Sequence, residues 1–516
     1  MVELGFWKHA QDNPDRIAVV TAKGDEVSAG ALLASANQVV HGLRALGFER
    51  GDCIAMMLPN GVEVFELFMA AAQAGWYLVP VNWHLAAPEV AYIIKDSGAK
   101  AVVASERFAD AARAACDELD FAAERRFAVG DIDGFGPYAE LKAGQSTALP
   151  ADRRAGGPMT YTSGTTGNPK GVRLAMADVA PEAVSSRQAM FLALFGMMPG
   201  SAGVHLVVAP TYHTAVLNFS TNHMHLGHTL VLMDKWTPES TLELIQRYKV
   251  TNSHMVPTMF SRMLKLPADV KAKYDVSSLS HVIHSAAPCP IDIKQQMLDW
   301  WGPCIYEYYA ASEGGGTLVT PQQWLNKPGT VGLPWPISQI RVLDDENQPC
   351  EPNQVGTVWI RMGDHKFEYH KDEKKTGDAW RDGFFTVGDA GYLDEDGYLF
   401  LCDRKADMII SGGVNIYPAE IESVFLTHPK VADVAVFGIP DEDWGEQVKA
   451  VIQPADGITA GPELAHELLG FAVERLAKYK LPKSFDWTDQ LPRDPNGKLY
   501  KRKLRDPYWA GRNTAI

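Results

Sequence analysis

Short apolar or β-branched runs alternate with helical stretches along most of this chain, and that alternation restricts the fold to largely parallel sheets covered by helices. The runs are HLVVA (205–209), TLVLM (229–233), HVIHS (281–285) and CIYEY (304–308), with helical stretches at 238–249 and 290–300 between them. Earlier, VEVFELFMAAAQAG (62–75) reads as an apolar-rich helix stopped by glycine, ahead of a strand at 77–81. Ligands of such sheets bind where loops leave the strands' carboxyl ends. The loops after Ala209, Ser285 and Tyr308 are therefore where chemistry is expected. From Gly329 short alternating strands with turns (IRVLDDENQP, GTVWIRMG, GYLDEDGYLFL) predict a small β-rich subdomain. A compact tail follows CDRKAD (402–407), with helices near 419–427 and 463–477 and strands near 431–437 and 447–452. The boundary falls there, dividing 1–403 from 404–516.

At 516 residues the chain is too long for one hydrophobic core. A net charge of −15 argues against a nucleic-acid or anionic-membrane surface, although a nucleotide needs only a few local donors. The six cysteines form no C-x-x-C pair, which fits a reducing compartment. The N-terminus shows no basic region followed by an apolar core, and the longest apolar run, AMFLALFGMM (189–198), is too short to span a bilayer. A cytoplasmic location without an integral membrane segment is expected. His223, His225 and His228 lie in a helical pattern without nearby Cys or carboxylate, so they read as packing and surface histidines, not metal ligands.

YTSGTTGNPKG (161–171) cannot build a core, because it has almost no apolar surface. It offers backbone N–H groups, the hydroxyls of Thr162, Ser163, Thr165 and Thr166, the glycines Gly164 and Gly167, and the ammonium of Lys170. These suit a polyphosphate. The Walker A spacing fails, since Lys170 is followed by glycine and preceded by Pro169.

This run is followed in order by PTYH (210–213), SAAP (285–288), YYAASE (308–313), TVGD (386–389), DRKADMIISGGVNIYPAEIE (403–422) and PRDPNGK (492–498). Together they resemble the adenylate-forming superfamily of acyl-CoA synthetases, peptide-synthetase adenylation domains and luciferases, closest to fatty-acid-type acyl-CoA ligases. The resemblance spans essentially the whole chain. It implies an α/β fold with a large N-terminal domain of two sheet–helix subdomains and a small β-barrel, plus a small, mobile α+β C-terminal domain carrying the catalytic lysine. It also implies ATP, Mg²⁺ and coenzyme A: a carboxylic acid becomes an acyl-adenylate with release of pyrophosphate, then a coenzyme A thioester.

By that resemblance Thr162, Ser163, Gly164, Thr165, Thr166, Gly167 and Lys170 hold the β- and γ-phosphates. Ser312 meets the α-phosphate and Glu313 takes the metal. Tyr309 stacks on adenine beside Tyr308, with Ala286, Ala287 and Pro288 along the other edge. Asp389 grips the ribose hydroxyls and Arg404 assists. Lys498 bridges carboxylate and α-phosphate, His213 gates the acyl site, and Ser411, Gly412 and Gly413 line the thiol's path. Ala406 stands at the hinge, where relatives commonly carry Asp or Lys, and Lys405 and Asp407 are the candidate replacements for its polar contact. Ser312, Ala310 and Ser285 also depart from the common pattern.

The segment after PTYH carries no acid, which disfavours a free amino acid because its ammonium would be buried unpaired. The expected acyl lining is Val216, Leu217, Phe219, Met224, Gly314, Gly315, Gly316 and Leu318, the glycines leaving room for a wide or long group. A medium-to-long fatty acid is the first expectation, a bulky alicyclic or steroid-type acid the second. Two alternatives stay open: transfer of the acyl group to a carrier protein, and a non-catalytic nucleotide- or acyl-binding protein. Small molecules are the expected partners, with no nucleic acid; a homodimer is left open.

Overall fold

The computed structural model describes residues 4–162, 169–311, 313–363, 367–370, 372–405, 407–493 and 499–510. Two sheets carry the first three hundred residues. One has nine strands in the order Leu333–Pro334, Gly316–Val319, Ile305–Ala310, His281–His284, Asn252–Met255, Val204–Val207, Thr229–Leu232, Ile17–Val20, Glu26–Ser28. The six from Ile305–Ala310 to Ile17–Val20 run parallel, flanked by antiparallel neighbours. The second sheet has six strands and is parallel throughout, with Ala99–Ser105 and Cys53–Met57 at its centre. The sequence runs at 205–209, 229–233, 281–285 and 304–308 each become a strand within one or two residues of expectation.

Helix Val62–Ala74 shows why the two sheets stay together. Every residue from Val64 to Ala74 is buried, so the helix is covered on all sides. Its apolar side chains join the main core, while Gly75, at φ 73°, supplies the left-handed cap that turns the chain into Tyr77–Pro80. The one carboxylate inside, Glu66, is held by Lys142 at 2.8 Å and the Ser35 hydroxyl at 2.6 Å.

Beyond residue 330 the expected β-rich unit is a six-stranded antiparallel sheet built on Ser338–Leu343, Gly356–Met362, Asp389–Leu393 and Leu399–Arg404. Among the described residues Gly356–Met362 is its hub, pairing with Ser338–Leu343, Phe384–Phe385 and Asp389–Leu393. Its edge strand Trp380–Arg381 is only two residues long and pairs with the equally short Phe384–Phe385. Strands up to Arg404 belong to this sheet, whereas Ile409–Ser411 joins a new one with Val431–Asp441 and Gly445–Pro454. Helices Pro418–Leu426 and Pro462–Val473 pack on that last sheet around a separate core. No described helix is long and apolar enough to cross a membrane.

None of the three clustered histidines is a surface residue: His223, His225 and His228 are all buried, as are His205, His254 and His284. His205 and His223 stack at 4.1 Å between ring centroids, and the Nδ1 atoms of His223 and His228 lie 2.9 Å apart. A second proton on such rings would have no solvent to stabilise it. Burial accordingly lowers His205, His225 and His254 to about 3 and His228 to about 4, and lowers His223 and His284 as well. Unfolded histidine titrates near 6.5. The unfolded chain therefore takes up protons first, and stability that is complete above about pH 6.5 is lost as the pH falls toward the folded values. Each such ring costs about 1.4 kcal/mol one pH unit below 6.5. The denaturant midpoint is expected to fall steadily from pH 7 to pH 5; a midpoint flat over that range would show that these rings are not held neutral.

Candidate active site

The carboxyl ends of the parallel strands open on one edge, and the chain leaves them in unusual conformations. After His281–His284 the backbone passes through Ser285 into Ala286, which takes φ 74°, a left-handed conformation costing a residue with a Cβ about 1–2 kcal/mol. Ala287 and Pro288 follow, facing the domain interface together with Ala419 and Glu422 of the C-terminal part. The neighbouring strand, Ile305–Ala310, presents Tyr308 and Tyr309 to opposite faces.

That alternation separates two residues expected to act together. The Tyr309 phenol donates to Asp389 Oδ2 at 2.6 Å, and the Arg404 guanidinium lies 3.5 Å from Asp389 Oδ1. Asp389 and Arg404 are register partners on adjacent strands, which explains why a pair fifteen positions apart meets. Burial first, then the carboxylate's charge, push the Tyr309 phenol well above its ordinary range, so it remains a donor. Tyr308 instead turns into an aromatic cluster with Phe195 and Phe219 and sits 3.3 Å from His254 Nε2. Its side chain is thus engaged in packing.

Strands Thr160–Thr162 and Lys170–Arg173 pair antiparallel, with Lys170 opposite Thr162. They bracket the hydroxyl-rich run, of which Ser163, Gly164, Thr165, Thr166 and Gly167 lie outside the described residues, as does the Thr162 side chain. Ser312, Ala406 and Lys498 also lie outside them. Lys170 forms an ion pair with Asp372. Glu313 is buried, and one of its oxygens, Oε1, accepts a 2.7 Å hydrogen bond from the Tyr369 phenol. Neither Asp372 nor Tyr369 was legible in the sequence: each lies in FEYHKDEKKT, which has no spacing signal, and each meets its partner only through folding.

Val216, Leu217, Phe219 and Met224 of the expected acyl lining are buried. Val216 and Leu217 belong to the main core, as does Met224, while Phe219 packs in the aromatic cluster with Phe191, Phe195 and Tyr308, close to Leu318 and Trp335. Two of the three glycines after Glu313 stand against filled space. A Cβ on Gly315 would lie 2.6 Å from Ile360 Cγ2, and one on Gly316 would lie 2.0 Å from the Tyr309 carbonyl oxygen. Glycine is needed there because two backbones approach closely as strand Gly316–Val319 folds back on Ile305–Ala310. Gly412 and Gly413 also have a local cause: with φ 58° and 79° they form the two-residue turn between Ile409–Ser411 and Val414–Ile416. Ser411 ends the first of these strands. His213 stands at the N-terminus of helix Thr214–Leu226 with its ring 4.2 Å from that of Tyr212.

A cleft of about 1270 Å³ lies between the large domain and the C-terminal part. Its wall includes Pro169 beside the hydroxyl-rich run, Arg404, and both Arg493 and Leu499, which flank the segment carrying Lys498. Arg493 is anchored by a bidentate ion pair to Asp433, at 2.5 and 2.8 Å. Polar contacts fix the orientation: Asp403 Oδ2 accepts from the Ala419 N–H at 2.8 Å, and Lys265 donates to the Val431 carbonyl at 2.8 Å. Of the two candidates for the missing hinge contact, Lys405 pairs with Asp345 of the large domain at 2.8 Å, while Asp407 lines the cleft. No group of three or more potential metal-ligating side chains occurs among the described residues.

Residues 6–366 match the AMP-binding enzyme family, and residues 420–498 match the AMP-binding enzyme C-terminal domain. The chain belongs to that family. It is an adenylate-forming ligase of the AMP-forming acid–thiol type. It is 33% identical to a fatty acid–[acyl-carrier-protein] ligase, ScoC, of Streptomyces coeruleorubidus, over 97% of this chain and 95% of that one. It is 35% identical to a long-chain-fatty-acid–CoA ligase, FadD13, of Mycobacterium tuberculosis, over 92% of each. Its fold also matches an o-succinylbenzoate CoA synthetase, MenE, of Bacillus subtilis in complex with the acyl-adenylate intermediate OSB-AMP. That match has a TM-score of 0.80 and 28% identity and covers 97% of each chain.

The glycine geometry gives a direct test. Gly316→Ala in this adenylate-forming ligase should destabilise it by about 1–3 kcal/mol in urea denaturation, because the new methyl group meets a carbonyl that cannot swing aside. An unchanged midpoint would mean that the two backbones are less tightly apposed.

Proposed function

We propose that this enzyme activates an apolar carboxylic acid as an acyl-adenylate and then forms its coenzyme A thioester, with residues 1–403 and 404–516 as the two moving parts and Ala406 as the pivot. The observation that carries this reading is the cleft, whose wall joins Pro169 of the hydroxyl-rich run, the Asp389-bound Arg404 and the flanks of the Lys498 segment.

The residues fit the chemistry. The acid's carboxylate attacks the α-phosphorus of ATP, forming a P–O bond while the bond to pyrophosphate breaks; both reactants are anionic, so the barrier is mainly electrostatic. Lys170 and the loop hydroxyls hold the β- and γ-phosphates, Ser312 meets the α-phosphate, and Lys498 bridges it to the incoming carboxylate. Asp389 offers two acceptor oxygens to the ribose hydroxyls, with Arg404 beside it and the Tyr309 ring and the 286–288 backbone toward adenine. Glu313, a single buried carboxylate, suits Mg²⁺, which keeps several waters and binds through one or two carboxylates plus phosphates. When bound, the metal neutralises charge on the transferring phosphates. In the second half-reaction the thiol attacks the acyl carbon past Ser411–Gly413 and His213, and AMP leaves.

For the acid, the aromatic cluster around Phe219 and Leu318 supports an apolar group, a medium-to-long fatty acid first and a bulky alicyclic acid second. The acid enters only if that packed cluster opens. The name of ScoC supports a second reading of the acceptor, a carrier-protein thiol.

ATP–pyrophosphate exchange across a panel of fatty, aromatic and alicyclic acids, followed by thioester assay with free coenzyme A and with a phosphopantetheinyl carrier protein, tests all of this. Exchange with no acid in the panel would refute the ligase reading for these acids. Lys498→Ala is expected to lower exchange about 10²–10³-fold while thioester formation from supplied acyl-adenylate suffers less. If both half-reactions keep their rates, Lys498 does not bridge. Asp389→Ala should weaken AMP binding about 10–100-fold by titration calorimetry, the loss of charge-assisted hydrogen bonds; unchanged affinity would remove Asp389 from the ribose.

A further inference from the structure

Strand Glu368–Tyr369 is only two residues long, yet it joins the two places where phosphate and metal are expected. It pairs with Lys170–Arg173, Tyr369 lying opposite Val172, so it extends the hairpin that bears the hydroxyl-rich run. The segment is fastened on both sides: the His370 N–H donates to the Gly171 carbonyl at 2.9 Å, and His370 Nε2 lies 3.0 Å from the Asp96 carbonyl. Asp372, three residues on, is the ion-pair partner of Lys170. From this fixed base the Tyr369 ring packs edge-on to Phe367 at 5.2 Å, and its phenol reaches Glu313 Oε1 at 2.7 Å. Tyr369 is 6% exposed and Glu313 7%, so water competes little for the bond.

A glutamate side chain has enough rotatable bonds to turn its carboxylate away from a ligand. Holding one oxygen sets the direction of the other. Partners of this kind orient metal-binding groups and are worth about 10–100-fold in metal affinity.

We propose that Tyr369 is a positioning residue for Glu313: its phenol fixes Oε1 so that the remaining oxygen is presented to the divalent cation of MgATP, and its strand ties that carboxylate to the phosphate-binding hairpin. This rests on the reading of Glu313 as the metal-binding residue. Because AMP binding needs no metal, the nucleoside grip at Asp389 serves as an internal control.

The test compares MgATP and AMP binding by titration calorimetry in the wild type and Tyr369→Phe, with the Mg²⁺ dependence of ATP–pyrophosphate exchange measured alongside. The phenylalanine keeps the ring packing and removes only the hydroxyl. Expected are about tenfold weaker MgATP binding and about tenfold higher half-saturating Mg²⁺, with AMP affinity unchanged. Equal weakening of AMP and MgATP, or no change in either, overturns the proposal. Glu313→Asp, which shortens the side chain away from the phenol, provides the second arm: adding Tyr369→Phe to it should shift the Mg²⁺ dependence no further, and an additional shift of the full single-variant size overturns the coupling. If Tyr369→Phe lowers the amount of folded protein, this comparison still decides, because Tyr369→His retains a donor and is expected to recover part of the Mg²⁺ dependence; no recovery counts against the proposal. Glu313→Gln separates the two levels. If it leaves MgATP binding untouched, the metal role of Glu313 fails, whereas a large loss there with a silent Tyr369→Phe defeats only the positioning role.

Discussion

Parallel pairing is the constraint from which the site follows. Strands Val204–Val207, Asn252–Met255, His281–His284 and Ile305–Ala310 must end at the same edge because they run in one direction. Each return passes through a helix on a sheet face, so the loops at the carboxyl ends are left without cover. Ala286 sits in one of them in a left-handed conformation, and Tyr309 ends the strand beside it. A carboxylate from the antiparallel sheet, Asp389, then reaches Tyr309, which locks the two architectures together at the site.

Under the proposed function a protein with a net charge of −15 receives a polyanion. Three cations of the site and cleft are paired with acids: Lys170 with Asp372, Arg404 with Asp389, Arg493 with Asp433. Lys170 and Arg493 are partly buried in these pairs, whereas Arg404 stays exposed. Preorganised donors are what electrostatic stabilisation of developing charge requires, and the proposed function draws on Lys170 and Arg404 in that way. Glu313 is similarly engaged by Tyr369, an uncharged donor that leaves the carboxylate's charge available.

The glycines show how one sequence observation supports opposite conclusions. The run after Glu313 reads equally well as spare volume or as close backbone approach. Ile360 and the Tyr309 carbonyl fill the space beside Gly315 and Gly316, and the question is decided by neighbours far away in sequence. Tyr308 and Tyr309 make the same point: adjacent and chemically alike, they part because a strand alternates its faces. Histidines 223, 225 and 228, spaced alike in sequence, are all buried, and that burial sets their neutral state.

Local pattern determined much of this protein by itself. Period and composition placed the strands, the helix at Val62–Ala74 and the change of sheet near Arg404, because those features depend on a few consecutive residues. The ordered motifs marked Glu313, Asp389 and Arg404, since each is a chemical group in a recognisable run. Tertiary structure alone decided which of those groups touch. Tyr369 on Glu313 and Asp372 on Lys170 span 56 and 202 positions, and no periodicity carries information over such distances. Contacts of that kind exist only after the hydrophobic layers have closed and fixed the strands in register.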